Sequence, residues 1–263
     1  MADDGQYQLI FGDGSNMEVL RNEEVDLVIT SPPYFSSATE PLLRKPIREQ
    51  TEVGRVREEI TAFALKLRPV YNEIRRVLKP GGTLVVQIKD IRYGGFIIPL
   101  ASLHREMIES TGLNLLSRVF WHKFNRRSKA TSFARNPLVG SFRSDEVEEL
   151  LIFSDTNNTE REKTPVALDP EEISLCTSPL WTMSPAGKGR EHPHQAPRIL
   201  VKRMISLFSE PGDLIVDPFA GAGTTLAVAI EMGRRAVGYE IEEHYAQLAD
   251  DSIERAIIKN SKS

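Results

Sequence analysis

The chain has 263 residues, 40% hydrophobic and 27% charged, enough for one α/β domain with a sizeable core and an insertion. A formal net charge of -4 argues against a protein that coats nucleic acid over its whole surface. No apolar run is long enough to span a bilayer and no signal peptide is evident, so a cytoplasmic setting without membrane attachment is expected.

Tyr7–Phe11 alternates weakly and reads as a strand ended by Gly12-Asp13-Gly14, with one or two helical turns predicted over 15–20. Val25–Ile29 is a β-branched run that reads as a buried parallel strand. Residues 35–54 are polar and read as a long loop. A near-3.6 apolar period predicts a helix over 55–78, kinked or split at Pro69 and stopped by Lys79-Pro80-Gly81-Gly82. Thr83–Ile88 is a strand, 96–110 a helix, and 113–124 and 147–153 two strands suited to a hairpin with an excursion between them. Residues 154–183 show little periodicity. Helix 197–209, strand 214–216, helix 224–232, strand 236–239 and a last helix from about 242 to 259 complete the chain. The alternation of strands and helices predicts a doubly wound, mostly parallel Rossmann-like sheet, carrying an antiparallel hairpin and a small insertion.

Two stretches carry chemistry. Thr30-Ser31-Pro32-Pro33-Tyr34 follows the strand at 25–29, and so occupies a strand's carboxyl end, where open α/β sheets bind ligands. Two prolines fix two φ angles and remove two N–H donors, and Ser31 is pushed toward an extended conformation. The loop offers carbonyl acceptors and a ring, which suits a flat, amino-bearing group. Its bland alternative is a Pro-Pro turn with a packed tyrosine.

The second stretch, 214–225, reads Leu-Ile-Val-Asp-Pro-Phe-Ala-Gly-Ala-Gly-Thr-Thr. A buried strand feeds a glycine loop that opens a helix at Thr224. Gly221 and Gly223 allow a turn and a close approach of ligand to backbone. A dinucleotide site would place a third glycine at 226, which is Leu226, and a phosphate-binding P-loop would need a lysine, which is absent. Acids stand instead at two strand ends, Asp217 and Glu240, and a carboxylate there can take the two hydroxyls of a ribose. Two acids without a phosphate cradle favour an adenosine ligand with a cationic arm, a description that S-adenosylmethionine (AdoMet) meets.

With both stretches in hand, the sequence resembles the β group of AdoMet-dependent amino DNA methyltransferases, which methylate N4 of cytosine or N6 of adenine. Asp217–Thr225 matches the family's AdoMet-binding motif, with Phe219 in it, and Thr30–Tyr34 matches its catalytic motif; the catalytic motif comes first, as in the β group. Gly12-Asp13, the turn at 78–82 and His192-Pro-His-Gln-Ala-Pro197 are weaker matches in the right order. The last places His194 and Gln195 near the cofactor's methionine end, although Ala196 stands where the family often has Lys. The resemblance implies cofactor contacts at Asp13, Thr30, His194, Gln195, Asp217, Phe219, Gly221, Gly223, Thr224 and Glu240. It implies a catalytic set of Ser31, Pro32, Pro33 and Tyr34, in which Ser31 Oγ and the Pro32 carbonyl accept the amino hydrogens and Tyr34 stacks on the base.

The expected division is 1–124 as the first part of the catalytic domain, 125–183 as the target-recognition region with a core strand near 147–153, and 184–263 as the AdoMet-binding part of the same domain. Residues 117–144 hold seven basic and no acidic residues, which suggests a localised anionic partner. Arg126, Arg127, Lys129 and Arg135 are the candidate contacts to double-stranded DNA, and the alternative is a solvated loop whose charges pair with Asp145–Glu149. A single cysteine, Cys176, permits no disulfide and no Cys-based metal cluster, and no metal is expected. Its Leu-Cys-Thr-Ser setting also disfavours C5 methylation of cytosine, which needs a nucleophilic cysteine. The serine at 31 favours N4 of a flipped-out cytosine, with N6 of adenine as the alternative and a non-catalytic DNA-binding protein on the same fold more distant. The resemblance further suggests a prokaryotic setting with a cognate restriction endonuclease, and the small recognition region suggests a short target or a homodimer.

Overall fold

The computed structural model describes residues 6–35, 50–93, 96–123, 146–156, 170–185 and 196–260. Among the described residues ten strands are formed: β1 (Tyr7–Phe11), β2 (Val25–Thr30), β3 (Leu78–Ile88), β4 (Ile91–Tyr93), β5 (Phe96–Ile98), β6 (Asn114–Lys123), β7 (Val147–Ser154), β8 (Leu180–Met183), β9 (Leu214–Asp217) and β10 (Arg235–Glu240). The helices are α1 (Gln50–Leu65), α2 (Arg68–Val77), α3 (Leu100–Glu109), α4 (Pro170–Thr177), α5 (Arg198–Phe208), α6 (Thr224–Glu231) and α7 (Glu243–Asn260). Eight strands make one sheet in the order β1-β10-β9-β2-β3-β7-β6-β8, and β4 and β5 pair separately. The first five strands of that order are parallel. β7 runs antiparallel to both β3 and β6, and β8 is parallel to β6.

Successive strand residues face opposite sides of the sheet, so each strand feeds two cores. Val28, Leu84, Val86 and Val216 pack with residues of α1, α2 and α3, including Ile60, Ile74 and Met107. Leu27, Ile29, Val85 and Ile215 pack on the other side with Leu200, Met204, Leu226 and Ile253 from α5, α6 and α7. Strands covered on both faces explain the continuous apolar runs at 25–30 and 214–217.

The predicted split at Pro69 is present: α1 ends at Leu65 and α2 starts at Arg68 with Pro69 in its first turn, where a missing N–H costs nothing. Lys79 Nζ donates to Asp26 Oδ1 (2.6 Å), and Asp26 Oδ2 accepts from Leu214 N (3.0 Å), which ties the beginnings of β2, β3 and β9 together.

Four sequence expectations need correction. Residues 15–20 form turns, because the Asp13 carboxylate holds Ser15 N and Oγ (both 2.9 Å) in a side-chain turn. The first long helix begins at Gln50, inside the stretch read as a loop. The helix expected over 96–110 starts only at Leu100, since Pro99 precedes it and Phe96–Ile98 pairs with Ile91–Tyr93. The stretch 154–183 contains α4, whose first turn carries Pro170, Glu171 and Glu172, and β8. β8 is four residues long, too short for a period, and becomes a strand by pairing with β6, where Trp181 is 2% exposed.

Candidate active site

The carboxyl ends of β2, β9 and β10 open into one cleft. It is lined by Thr30–Phe35 from the loop after β2, by 219–222 with Thr224 and Thr225 from the glycine loop, and by Glu240–Glu242 at the end of β10. Thus the two stretches, far apart in sequence, face one space because β9 lies directly beside β2 in the sheet.

Asp217 sits at the base of the cleft, 4% exposed, with Oδ1 accepting from Thr30 Oγ1 (3.0 Å) and from Phe219 N (3.1 Å). Burial pushes its pKa up to about 6. The donors from Thr225, Phe219 and Thr30 act in the opposite sense, and the nearby Glu240 carboxylate adds to the rise. Glu240 Oε2 accepts from Gly221 N (2.8 Å) and Oε1 from Glu242 N (2.9 Å), so the glycine loop is fastened to the end of β10 by a carboxylate. Gly223 has φ 71° and heads α6; a Cβ there would lie 2.8 Å from Ala249 Cα. Phe219, Ala220 and Ile241 supply apolar walls around these acids.

Among the described residues, the cleft carries three carboxylates, Asp217, Glu240 and Glu242, and no Lys, Arg or His. That electrostatic balance suits a cationic ligand and repels a phosphate. No group of three or more His, Cys, Asp and Glu among the described residues could hold a metal ion.

On the other side of the cleft, Ser31 is half-buried, Pro32 buried and Pro33 exposed. The hydroxyls of Ser31 and Tyr34 are hydrogen-bonded to each other, and burial raises the Tyr34 pKa. Tyr34 is more enclosed than a free stacking platform would be. Its ring is 5% exposed and packed in the core, with Lys89 Nζ 5.6 Å from the ring centroid, while the half-buried Phe35 shares the same wall.

Of the residues singled out from sequence, Thr30, Ser31, Pro32, Pro33, Tyr34, Asp217, Phe219, Gly221, Thr224 and Glu240 line this one cleft. Gly223 shapes the loop from behind. Asp13 is not among the lining residues; its carboxylate serves the Ser15 turn, and the adjacent Gly14 packs against Pro218. His194, Gln195, Arg126, Arg127, Lys129 and Arg135 lie outside the described residues. Two members of the basic stretch, Arg118 and Lys123, are neutralised by the neighbouring acids: Arg118 bonds Glu149 (2.6 Å) and Lys123 bonds Glu148. For these two the pairing alternative holds. Sequence reasoning missed Gln87, Met204, Ile241 and Tyr245, which also line the cleft. Ile241 follows Glu240 directly, a signal that was available; Gln87 and Met204 are brought in only by the packing of β3 and α5.

The family model for DNA methylases of the N6/N4 type matches residues 25–251. The chain belongs to this family. Type II methyltransferase M.MjaI of Methanocaldococcus jannaschii is 28% identical, covering 94% of this chain and 91% of that protein. Type II methyltransferase M.MthZI of Methanothermobacter thermautotrophicus is 27% identical over 95% of this chain and 77% of its own length. The crystal structure of a DNA modification methylase from Thermus thermophilus, TTHA0409, complexed with S-adenosyl-L-methionine, superposes with a TM-score of 0.70 at 27% identity, covering 95% of this chain and 94% of that one. PvuII DNA methyltransferase (cytosine-N4-specific) gives the same TM-score at 21% identity, covering 98% and 92% of the two chains, a likeness of fold. The protein is a DNA methyltransferase of the amino-methylating family.

Proposed function

We propose that this enzyme transfers a methyl group from S-adenosylmethionine to N4 of a cytosine flipped out of double-stranded DNA at a specific site. The observation that carries the reading is the cleft in which the Ser31–Tyr34 loop faces a cofactor side that is acidic and, among the described residues, holds no Lys, Arg or His. Asp217, Glu240 and the glycine loop would hold an adenosyl group with a cationic arm, and Phe219 and Ile241 would offer apolar surface to it. When bound there, AdoMet supplies an electrophilic methyl on a sulfonium that leaves without help from an acid.

The protein's own task is on the target side. An exocyclic amino group is a poor nucleophile because its lone pair is delocalised into the ring, and acceptors on its hydrogens favour the tetrahedral geometry that frees that pair. Ser31 Oγ and the Pro32 carbonyl provide them. Neither the Ser31 nor the Tyr34 hydroxyl is a strong base, since burial raises Tyr34, so the proton departs to solvent after transfer. Tyr34 and Phe35 form the wall against which the base rests, and alignment of the reactants supplies much of the remaining rate.

A base inside a duplex cannot reach this cleft, so flipping is required, at about a few kcal/mol. Residues 125–183 are assigned to recognition, with Arg126, Arg127, Lys129 and Arg135 on the DNA. A region this small suits a short target or a dimer, and type II relatives make a cognate endonuclease a natural partner. The choice of cytosine rests on Ser31, since Ser-Pro-Pro-Tyr is commoner in the cytosine group.

The test is to incubate the protein with isotopically labelled AdoMet and mixed-sequence DNA, digest to nucleosides and identify the labelled one by mass spectrometry. Label on N4-methylcytosine is expected. Label on N6-methyladenine would keep the cofactor and the chemistry and overturn the base assignment, and absence of label from all DNA would overturn the substrate.

A further inference from the structure

Gln87 lines the cleft, yet it belongs to neither motif. Its side chain is 4% exposed, which is unusual for an amide unless its polar atoms are employed. Nε2 donates to Glu148 Oε2 (2.5 Å), and the other oxygen of Glu148 accepts from Lys123 Nζ. Glu148 is itself 5% exposed and ion-paired with Lys123. A carboxylate can only accept, so the Gln87 amide cannot turn over: its NH2 must face Glu148 and its carbonyl must face away. Among the described residues no group bonds that carbonyl.

Register and strand order say what the carbonyl meets. β2 and β3 pair in parallel up to Thr30 opposite Val86, so Ser31 and Gln87 are the next residues of the two chains, and both line the cleft. The cofactor side, at the ends of β9 and β10, lies on the far side of β2 from β3. An acceptor placed there needs a donor. On the Watson–Crick edge of neutral cytosine or adenine the donor is the exocyclic amino group, whereas the ring nitrogen beside it only accepts.

We propose that Gln87 Oε1 is a further substrate-binding group of this reaction: together with its neighbour Ser31 Oγ it accepts one hydrogen of the flipped base's exocyclic amino group in a three-centre hydrogen bond, the other hydrogen going to the Pro32 carbonyl, and the Glu148–Lys123 pair serves to hold the amide in the accepting orientation. Gln87 thereby selects an amino-bearing base over a keto-bearing one, because a carbonyl in the same place would face the lone pairs of another carbonyl. The inference rests on the methyl-transfer reading and deepens it.

The test uses the full chain with Gln87→Met, which keeps length without an acceptor, and Gln87→Lys, which can still donate to Glu148 but offers no acceptor. AdoMet affinity is measured by calorimetry. Single-turnover transfer and affinity are measured on a duplex carrying the site mapped with the wild type, and affinity again on the same duplex with an abasic target position. The expected result is a transfer rate about tenfold lower in both variants, the scale of one hydrogen bond to a buried group, with AdoMet affinity and abasic-duplex affinity unchanged. Wild-type rates in either folded variant would overturn the proposal, and so would a parallel loss of AdoMet or abasic-duplex affinity, which would make Gln87 structural. A wild-type chain that labels no DNA would instead overturn the underlying reading, and this inference with it.

Discussion

Asp217 combines two demands that conflict. The cofactor reading needs an anion there, while a fully enclosed carboxylate resists ionisation, and its pKa of about 6 records the balance. Because the folded value lies above the ordinary 3.8, the group contributes stability that is fully present below about pH 4 and is lost as pH rises through about 6. Asp217→Asn is therefore expected to unfold at a higher temperature than the wild type at pH 8, by the equivalent of up to about 3 kcal/mol, with little difference at pH 4. Thermal melts at the two pH values check this, and an Asn variant less stable at pH 8 would contradict it. A cationic ligand draws the ionised form, so wild-type affinity for AdoMet should fall as pH drops below about 6 and the Asn variant should bind weakly at every pH. Calorimetric titration between about pH 5 and 8 measures both. Gly223 belongs at this scale too, since its φ of 71° and the 2.8 Å approach to Ala249 Cα leave no place for a side chain. Gly223→Ala should cost about 2–4 kcal/mol of stability, from the left-handed backbone and the overpacking together, and denaturant unfolding would show a lower midpoint at unchanged slope.

At the scale of elements, β9, the glycine loop and α6 form a unit whose sequence departs from the dinucleotide pattern at Leu226. In that pattern the third glycine allows close helix–strand packing. Here the same closeness is achieved from the strand, because a Cβ on Gly238 of β10 would lie 2.6 Å from Leu226 Cδ2. The small residue has moved across the interface, which is why the motif could be excluded on spacing while the helix still packs tightly. The elements that sequence reading located well were those with long periods or firm punctuation, such as the split at Pro69 and the run at 25–30. Those it missed, β4, β5 and β8, are three, three and four residues long and exist through their partners. α4 carried a readable start at Pro170-Glu171-Glu172, but its eight residues are too few for a convincing apolar stripe.

For the whole molecule, the proposed function divides the labour between the acidic cofactor side, assigned to a cation, and the basic stretch, assigned to a polyanion. DNA affinity should fall steeply between about 50 and 200 mM salt. Replacing Arg126, Arg127, Lys129 and Arg135 by Ala should lower the slope of log affinity against log salt by about one for each phosphate contact removed. Anisotropy titrations with labelled duplex would measure it, and an unchanged slope would remove these residues from the interface. Arg118 and Lys123 are not expected to contribute, because Glu149 and Glu148 already neutralise them.

The sequence by itself determined the chemistry available: a stiff Pro-Pro loop at one strand end, acids at two others, a glycine turn without phosphate-binding lysine, and no cysteine nucleophile. These are local facts, set by residue type and spacing, and they survive any arrangement of the strands. Only the tertiary structure decided what they do together. Strand order brought β2 beside β9 and so merged two distant motifs into one cleft, desolvation moved the Asp217 pKa, core packing enclosed Tyr34, and the pairing of β3 with β7 set Gln87 against Glu148 beside Ser31. Burial and orientation arise from contacts between segments remote in the chain, and a linear pattern contains no measure of them.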